Sequence, residues 1–151
     1  MVITFCGHSQ FSRTKELERR VLEFLEDKIG NEVADIYMGE HGDFDRFAYD
    51  CCKKYKQTHN NVSLIFITPY ITEEYQKNHL IHQSKRFDSI IYPQIEAVPP
   101  KFAIISRNRY MVDMSDYVIA YVNHSWGGAY QTYKYAKKKN KSIFNLADFK
   151  E

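Results

Sequence analysis

Three short segments place glycine where an apolar run gives way to a helical pattern: Gly7-His8-Ser9, Gly39-Glu40-His41-Gly42-Asp43 and Trp126-Gly127-Gly128. Glycine lets a backbone approach a ligand closely, and a helix start presents unpaired N–H groups carrying partial positive charge. Together they suit an anion such as phosphate. Around them stand side chains with matching chemistry. Arg107 is a phosphate or ribose contact, or else a salt-bridge partner of Asp113 or Asp116. Thr132 either bonds a phosphate oxygen or fills a helix–sheet interface. Trp126, the only tryptophan, either stacks on a base or packs against a neighbour or a second subunit. His8 sits inside the first glycine loop as a ligand contact. His79 and His82 are spaced to share a helix face, but no third ligand accompanies them, so no metal is expected.

These residues need elements to hold them. Apolar, β-branched runs recur at Val2–Cys6, Ala34–Met38, Val62–Thr68, Ser89–Tyr92, Tyr117–Val122 and Ser142–Leu146. Most are continuous rather than alternating, as strands covered on both faces of a parallel sheet should be. Between them the spacing turns helical. Leu17, Val21, Leu25 and Ile29 recur every four residues, with Ser12 or Thr14 as N-cap and Gly30 as the stop. Asp43 reads as the N-cap of a second helix with Phe44, Phe47, Ala48, Cys51 and Tyr55 along one stripe. A third helix starts at Pro99-Pro100 and runs to about Ser115; the last starts at Gly127-Gly128 and turns Ala129, Thr132, Tyr133 and Ala136 inward. Strand and helix alternate throughout, apart from a polar stretch from Pro69 to Asp88 that reads as a short helix or a flap. The expected class is therefore α/β: a Rossmann-like three-layer α/β/α sandwich with a mostly parallel sheet, one domain over residues 1–151.

Composition narrows the function. Twenty-one basic against nineteen acidic side chains leave a net charge of +2, which supplies no whole-molecule field for a general nucleic-acid binder. Lys137, Lys138, Lys139 and Lys141 lie where they complement a helix dipole, so a solvated face is preferred to a nucleic-acid patch. Cys6, Cys51 and Cys52 fit neither a disulfide framework nor a zinc site and read as buried thiols. No stretch approaches the ~20 apolar residues of a membrane span, and no export signal opens the chain, so the cytoplasm is the expected location. G-x-G-x-x-G after the first strand and G-x-x-x-x-G-K-[ST] are both missing, which disfavours dinucleotide dehydrogenases and P-loop enzymes.

Four blocks occur in order: Phe5-Cys6-Gly7-His8-Ser9, Tyr37 through Asp45, Arg107 through Asp116, and Gly127-Gly128-Ala129-Tyr130-Gln131-Thr132. In this order they resemble the SLOG superfamily, in particular its small YpsA-like bacterial members. The resemblance implies a Rossmann-like fold that binds nucleotides or their derivatives, and, for a small domain of this kind, a homodimer. In the related "lonely guy" phosphoribohydrolases, a first-strand loop and a glycine-pair helix hold the 5′-phosphate. An arginine and a helix glutamate act there at the ribose-to-base bond. Arg107 matches that arginine; Tyr133 and Lys134 stand where the glutamate belongs, leaving Glu40, Asp43 and Asp45 as substitute acids. The leading expectation is a sensor-like protein for a small nucleotide or nucleotide derivative, with no cofactor, bound by Gly7, His8, Ser9, Gly39, Gly42, Asp43, Arg107, Gly127, Gly128 and Thr132. The alternative is a nucleoside-monophosphate N-glycosidase using Arg107 and Glu40. A nucleic-acid or protein-interaction domain ranks last, suggested by a DNA-processing protein of related fold and requiring the lysines to line a groove with exposed aromatics.

Overall fold

The four-residue apolar spacing of the first helical segment buries one stripe, and capping residues set its ends. In the computed structural model, which describes residues 1–151, strand β1 (Val2–Gly7) is followed by helix α1 (Lys15–Ile29). Thr14 Oγ1 accepts the Leu17 amide at 3.1 Å, Gly30 closes the far end onto the Glu26 carbonyl, and Val21, Leu25 and Ile29 are buried. Strand β2 (Ala34–Met38) leads to α2 (Asp43–Lys56), whose Phe44, Phe47, Ala48, Cys51 and Tyr55 are all buried. The N-cap of α2 is Gly42 at φ 104°, a left-handed conformation that favours glycine, and Asp43 is the first helical residue rather than the cap.

Strand β3 (Val62–Ile67) precedes the polar stretch, which forms α3 (Glu73–Tyr75), a π-helical turn (Gln76–Leu80) and α4 (Ile81–Arg86). After the short β4 (Ser89–Ile91), a 3-10 turn at Pro100–Phe102 runs into α5 (Ala103–Met114). Strand β5 (Tyr117–Tyr121), α6 (Gly128–Lys138) and β6 (Ser142–Asn145) complete the chain.

The six strands form one sheet in the order β4-β3-β2-β1-β5-β6, and every pairing is parallel. Helices α1 and α2 pack together over one face, α5 and α6 over the other, giving the three-layer α/β Rossmann-like sandwich. The larger core lies under α1 and α2 and includes Ile3, Leu25, Ile36, Phe44, Phe47 and Phe66. A smaller one joins Cys6, Val112, Val118, Ala120, Val122 and Ala136 beneath α5 and α6. No helix is long and apolar enough to cross a membrane.

Candidate functional site

Strand order reverses direction at β1, which lies between β2 and β5, so the helices after β1 and β5 leave toward opposite faces. A crevice must open between the carboxyl ends of those two strands. There the structure holds a cleft of about 720 Å³. Gly7 at the end of β1 and His8 and Ser9 just after it line the cleft; Asn123, His124 and Trp126 do so from the loop after β5, and Gly127, Gly128, Gln131 and Thr132 from the start of α6. Helix α5 adds Ile104, Ile105, Asn108 and Arg109, and the start of α2 adds His41 and Asp45.

The most distinctive feature of the cleft is a pile of three rings. His8 stacks on His124 with centroids 3.7 Å apart and planes at 11°, and His124 stacks on Trp126 at 3.8 Å and 19°. His8 is 8% exposed and Trp126 69%, so the pile runs from the interior out to a free indole face. Its base is fixed by hydrogen bonds. The Asn123 amide donates to His8 Nε2 at 3.0 Å, which makes a neutral His8 carry its proton on Nδ1. Burial, then the neighbouring His124, hold the His8 pKa below its ordinary value. Asn145 pins the loop beneath, accepting from the Val122 amide at 3.1 Å and donating to the Val122 carbonyl at 3.0 Å.

Beside the indole, α6 begins without a side-chain cap. Gly127, at φ 90°, turns the chain into the helix, and a Cβ on it or on Gly128 would meet nothing within 4 Å. The first-turn amides lack intrahelical acceptors, a ready anion seat. Thr132 Oγ1 donates back to the Gly128 carbonyl at 3.1 Å. Cys6 also lines the cleft, but burial pushes its thiol up to about 12, so it stays protonated and a poor nucleophile.

Of the residues singled out in the sequence, Gly7, His8, Ser9, Asp45, Trp126, Gly127, Gly128 and Thr132 meet at this cleft. Gly39, Gly42, Asp43, Arg107 and Glu40 do not line it. Arg107 is 2% exposed, donating from Nη1 to the Ile67 carbonyl at 2.8 Å and from Nε to Asn108 at 2.9 Å. Neither Asp113 nor Asp116 pairs with it: Asp113 accepts the Tyr135 hydroxyl and Asp116 the Val2 amide. Gly39 is small because Arg107 lies on it; a Cβ there would stand 2.9 Å from the guanidinium carbon. Glu40 is engaged by Gln83 and Arg86. Gly42 and Asp43 shape the first loop instead. A Cβ on Gly42 would stand 2.5 Å from Ser9 Cα, and the Asp43 amide donates to the Ser9 carbonyl at 2.8 Å. The second glycine segment therefore reaches the cleft through His41 and Asp45, not through its glycines.

Sequence reasoning passed over His124, Asn123 and Arg109. The loop bends at His124 and Ser125, and that bend, which no residue spacing signals, brings the His124 ring onto Trp126.

No protein family model matches the chain, and no curated protein matches it. Solved structures do. A structure of DNA processing protein A from Helicobacter pylori, which describes that protein's single-stranded DNA binding mode, superposes with a TM-score of 0.62 at 19% identity. It covers 98% of this chain and 66% of that one. DNA processing protein A from Streptococcus pneumoniae gives 0.63 at 16% identity over 97% of this chain and 50% of that one. The fold is like that of DNA processing protein A. The chain thus spans about two thirds of one DNA processing protein A and half of the other.

This likeness corrects the expectation drawn from the sequence. The residues by themselves favour a small nucleotide or nucleotide derivative as ligand, with an N-glycosidase as the alternative, and disfavour nucleic acid. The structural neighbours are instead DNA processing proteins, one of them described for its binding of single-stranded DNA. Net charge averages over the whole surface and is a weak guide against single-strand binding, which stacking and a few local dipoles can support.

Proposed function

We propose that the protein binds single-stranded DNA in the cleft between β1 and β5, with a base stacked on Trp126 and a neighbouring phosphate on the amides that open α6. The carrying observation is the His8–His124–Trp126 pile ending in an exposed indole beside an uncapped helix start. A base has an apolar face and an anionic backbone, and these two features match them side by side. A rigid pile suits the task, because an indole already held on its inner face loses little freedom when a base covers the outer one. Arg109 borders the cleft, but its guanidinium lies 5.1 Å over the Tyr135 ring, which leaves stacking and the helix amides to carry the binding. The described single-stranded DNA binding of the Helicobacter pylori neighbour supports this reading.

Trp126 is the only tryptophan, so its fluorescence reports the event directly. Titration with a mixed-sequence single strand of about twelve nucleotides, within the range one small domain covers, should quench it saturably. Trp126→Ala, followed by anisotropy of a labelled strand, should weaken binding by ~1–3 kcal/mol, roughly ten- to a hundredfold. Absence of binding at low salt, or an unchanged affinity in Trp126→Ala, would remove the proposal.

A further inference from the structure

We propose that Asp45 reads the bases of the bound strand, selecting those that turn an exocyclic amine toward it, cytosine and guanine; this rests on the single-stranded DNA reading above. Asp45 is the only carboxylate lining the cleft. Its neighbours are already matched: Asp43 pairs with Arg46 and Glu40 with Arg86. Asp45 has no such cation. Its Oδ2 accepts the His41 amide at 2.9 Å, which locks the carboxylate against the first turn of α2 and leaves Oδ1 without a protein donor. Arg107 lies close enough to favour the charge but makes no hydrogen bond to Asp45; its Nη1 and Nε donate to Ile67 and Asn108.

A carboxylate repels phosphate, so the part of a strand that meets Asp45 must bring donors. Deoxyribose lacks the 2′-hydroxyl, which leaves the bases. Among their edges, the cytosine 4-amino group is a known partner of carboxylates. Adenine offers its amine between two ring acceptors, which repel an approaching carboxylate, and thymine has no amine. Asp45 and the α6 amides reach the cleft from helices on opposite faces of the sheet. Backbone and base edge are thereby sorted to different walls.

The test compares two single strands of equal length by anisotropy: oligodeoxycytidine, and the same strand with hydrogen in place of each 4-amino group. The two present nearly the same ring face to Trp126, so a difference reports the amine. The unaltered protein should bind the cytosine strand about tenfold more tightly, the low end of discrimination by a good base contact. In Asp45→Asn, whose carbonyl keeps the His41 amide and whose NH2 then faces the cleft, that ratio should fall to about one. Equal binding of the two strands by the unaltered protein, a comparison that needs no variant, overturns the inference and leaves the proposed function standing. A ratio retained in Asp45→Asn also overturns it. Failure of the unaltered protein to bind either strand defeats both.

Discussion

His8 shows how a single ring nitrogen couples the fold to the cleft. Protonating Nε2 would break its bond to the Asn123 amide and set a positive charge against His124. The folded chain therefore resists that proton more than the unfolded chain does, in line with the lowered pKa. Below about pH 6.5 the unfolded state binds more protons, so the stability from neutral His8, fully present above that pH, is lost as pH falls toward the depressed value. Asp45 works in the opposite sense. Burial pushes its pKa up to about 6, against opposing help from Arg107 and the His41 amide. The folded chain holds that proton more tightly, so Asp45 favours folding as pH drops from about 6 toward the ordinary aspartate range and opposes it near neutrality. The two effects overlap and partly cancel in a bulk melting curve, so NMR titration of each group is the proper measurement. His8 should titrate below its ordinary value and Asp45 near 6. A His8 midpoint at or above the ordinary value would contradict the buried, Nε2-accepting ring. His124 Nδ1 is buried without a partner, which is least unfavourable when that nitrogen is the unprotonated one.

At the scale of elements, glycines that look equivalent in the sequence do different work. Gly7 is tight: a Cβ would stand 2.3 Å from the Phe44 ring, which is fully buried and cannot retreat. Gly128 is open, with nothing within 4 Å. Gly7→Ala should thus lower stability by ~1–3 kcal/mol or more through overpacking, read as a fall in thermal midpoint. Gly128→Ala should leave the thermal midpoint within a degree or two, since alanine is a better helix former than glycine, yet weaken strand binding by crowding the amides. If both variants melt alike, the packing account of Gly7 is wrong. The stripes of α1 and α2 were legible because burial on one helix face writes itself at a period near four. The α3–π–α4 stretch was not, because its residues are mostly exposed and leave no such pattern; its one buried side chain, Gln83, is polar. That helix stretch is anchored to α2 and its entry by Gln83 and Arg86 on Glu40, and by Arg86 over the Tyr49 ring at 4.1 Å.

For the molecule as a whole, the basic residues are spent away from the cleft. Lys137 pairs with Glu151 at 2.9 Å, Lys139 lies over Tyr135 at 5.4 Å, and Lys141 donates to the Asp113 carbonyl at 3.1 Å. All stand at the far end of α6 from its open amides, so they do not form the groove a lysine-led nucleic-acid site would need. Arg109 is the one lysine or arginine that borders the cleft, and its guanidinium lies over the Tyr135 ring, so few counterions should be released. Log affinity against log salt should have a slope of roughly −1, since single strands give about −0.7 per neutralised phosphate. A slope several times steeper would move the interface onto the lysines.

The order of apolar runs, helix stripes and glycine-ended loops sufficed to determine an α/β chain with its anion-seeking loops at strand ends, because local burial and backbone freedom are properties of short segments. Which loops meet was decided only by tertiary structure. Placing β1 between β2 and β5 opened the crevice where His8, His124 and Trp126 stack, although Trp126 lies more than a hundred residues from His8. The same packing sealed Arg107 beneath Gly39 and left Asp45 facing the cleft without a salt-bridge partner. Stacking and burial depend on distances through space, and spacing along a chain does not carry them.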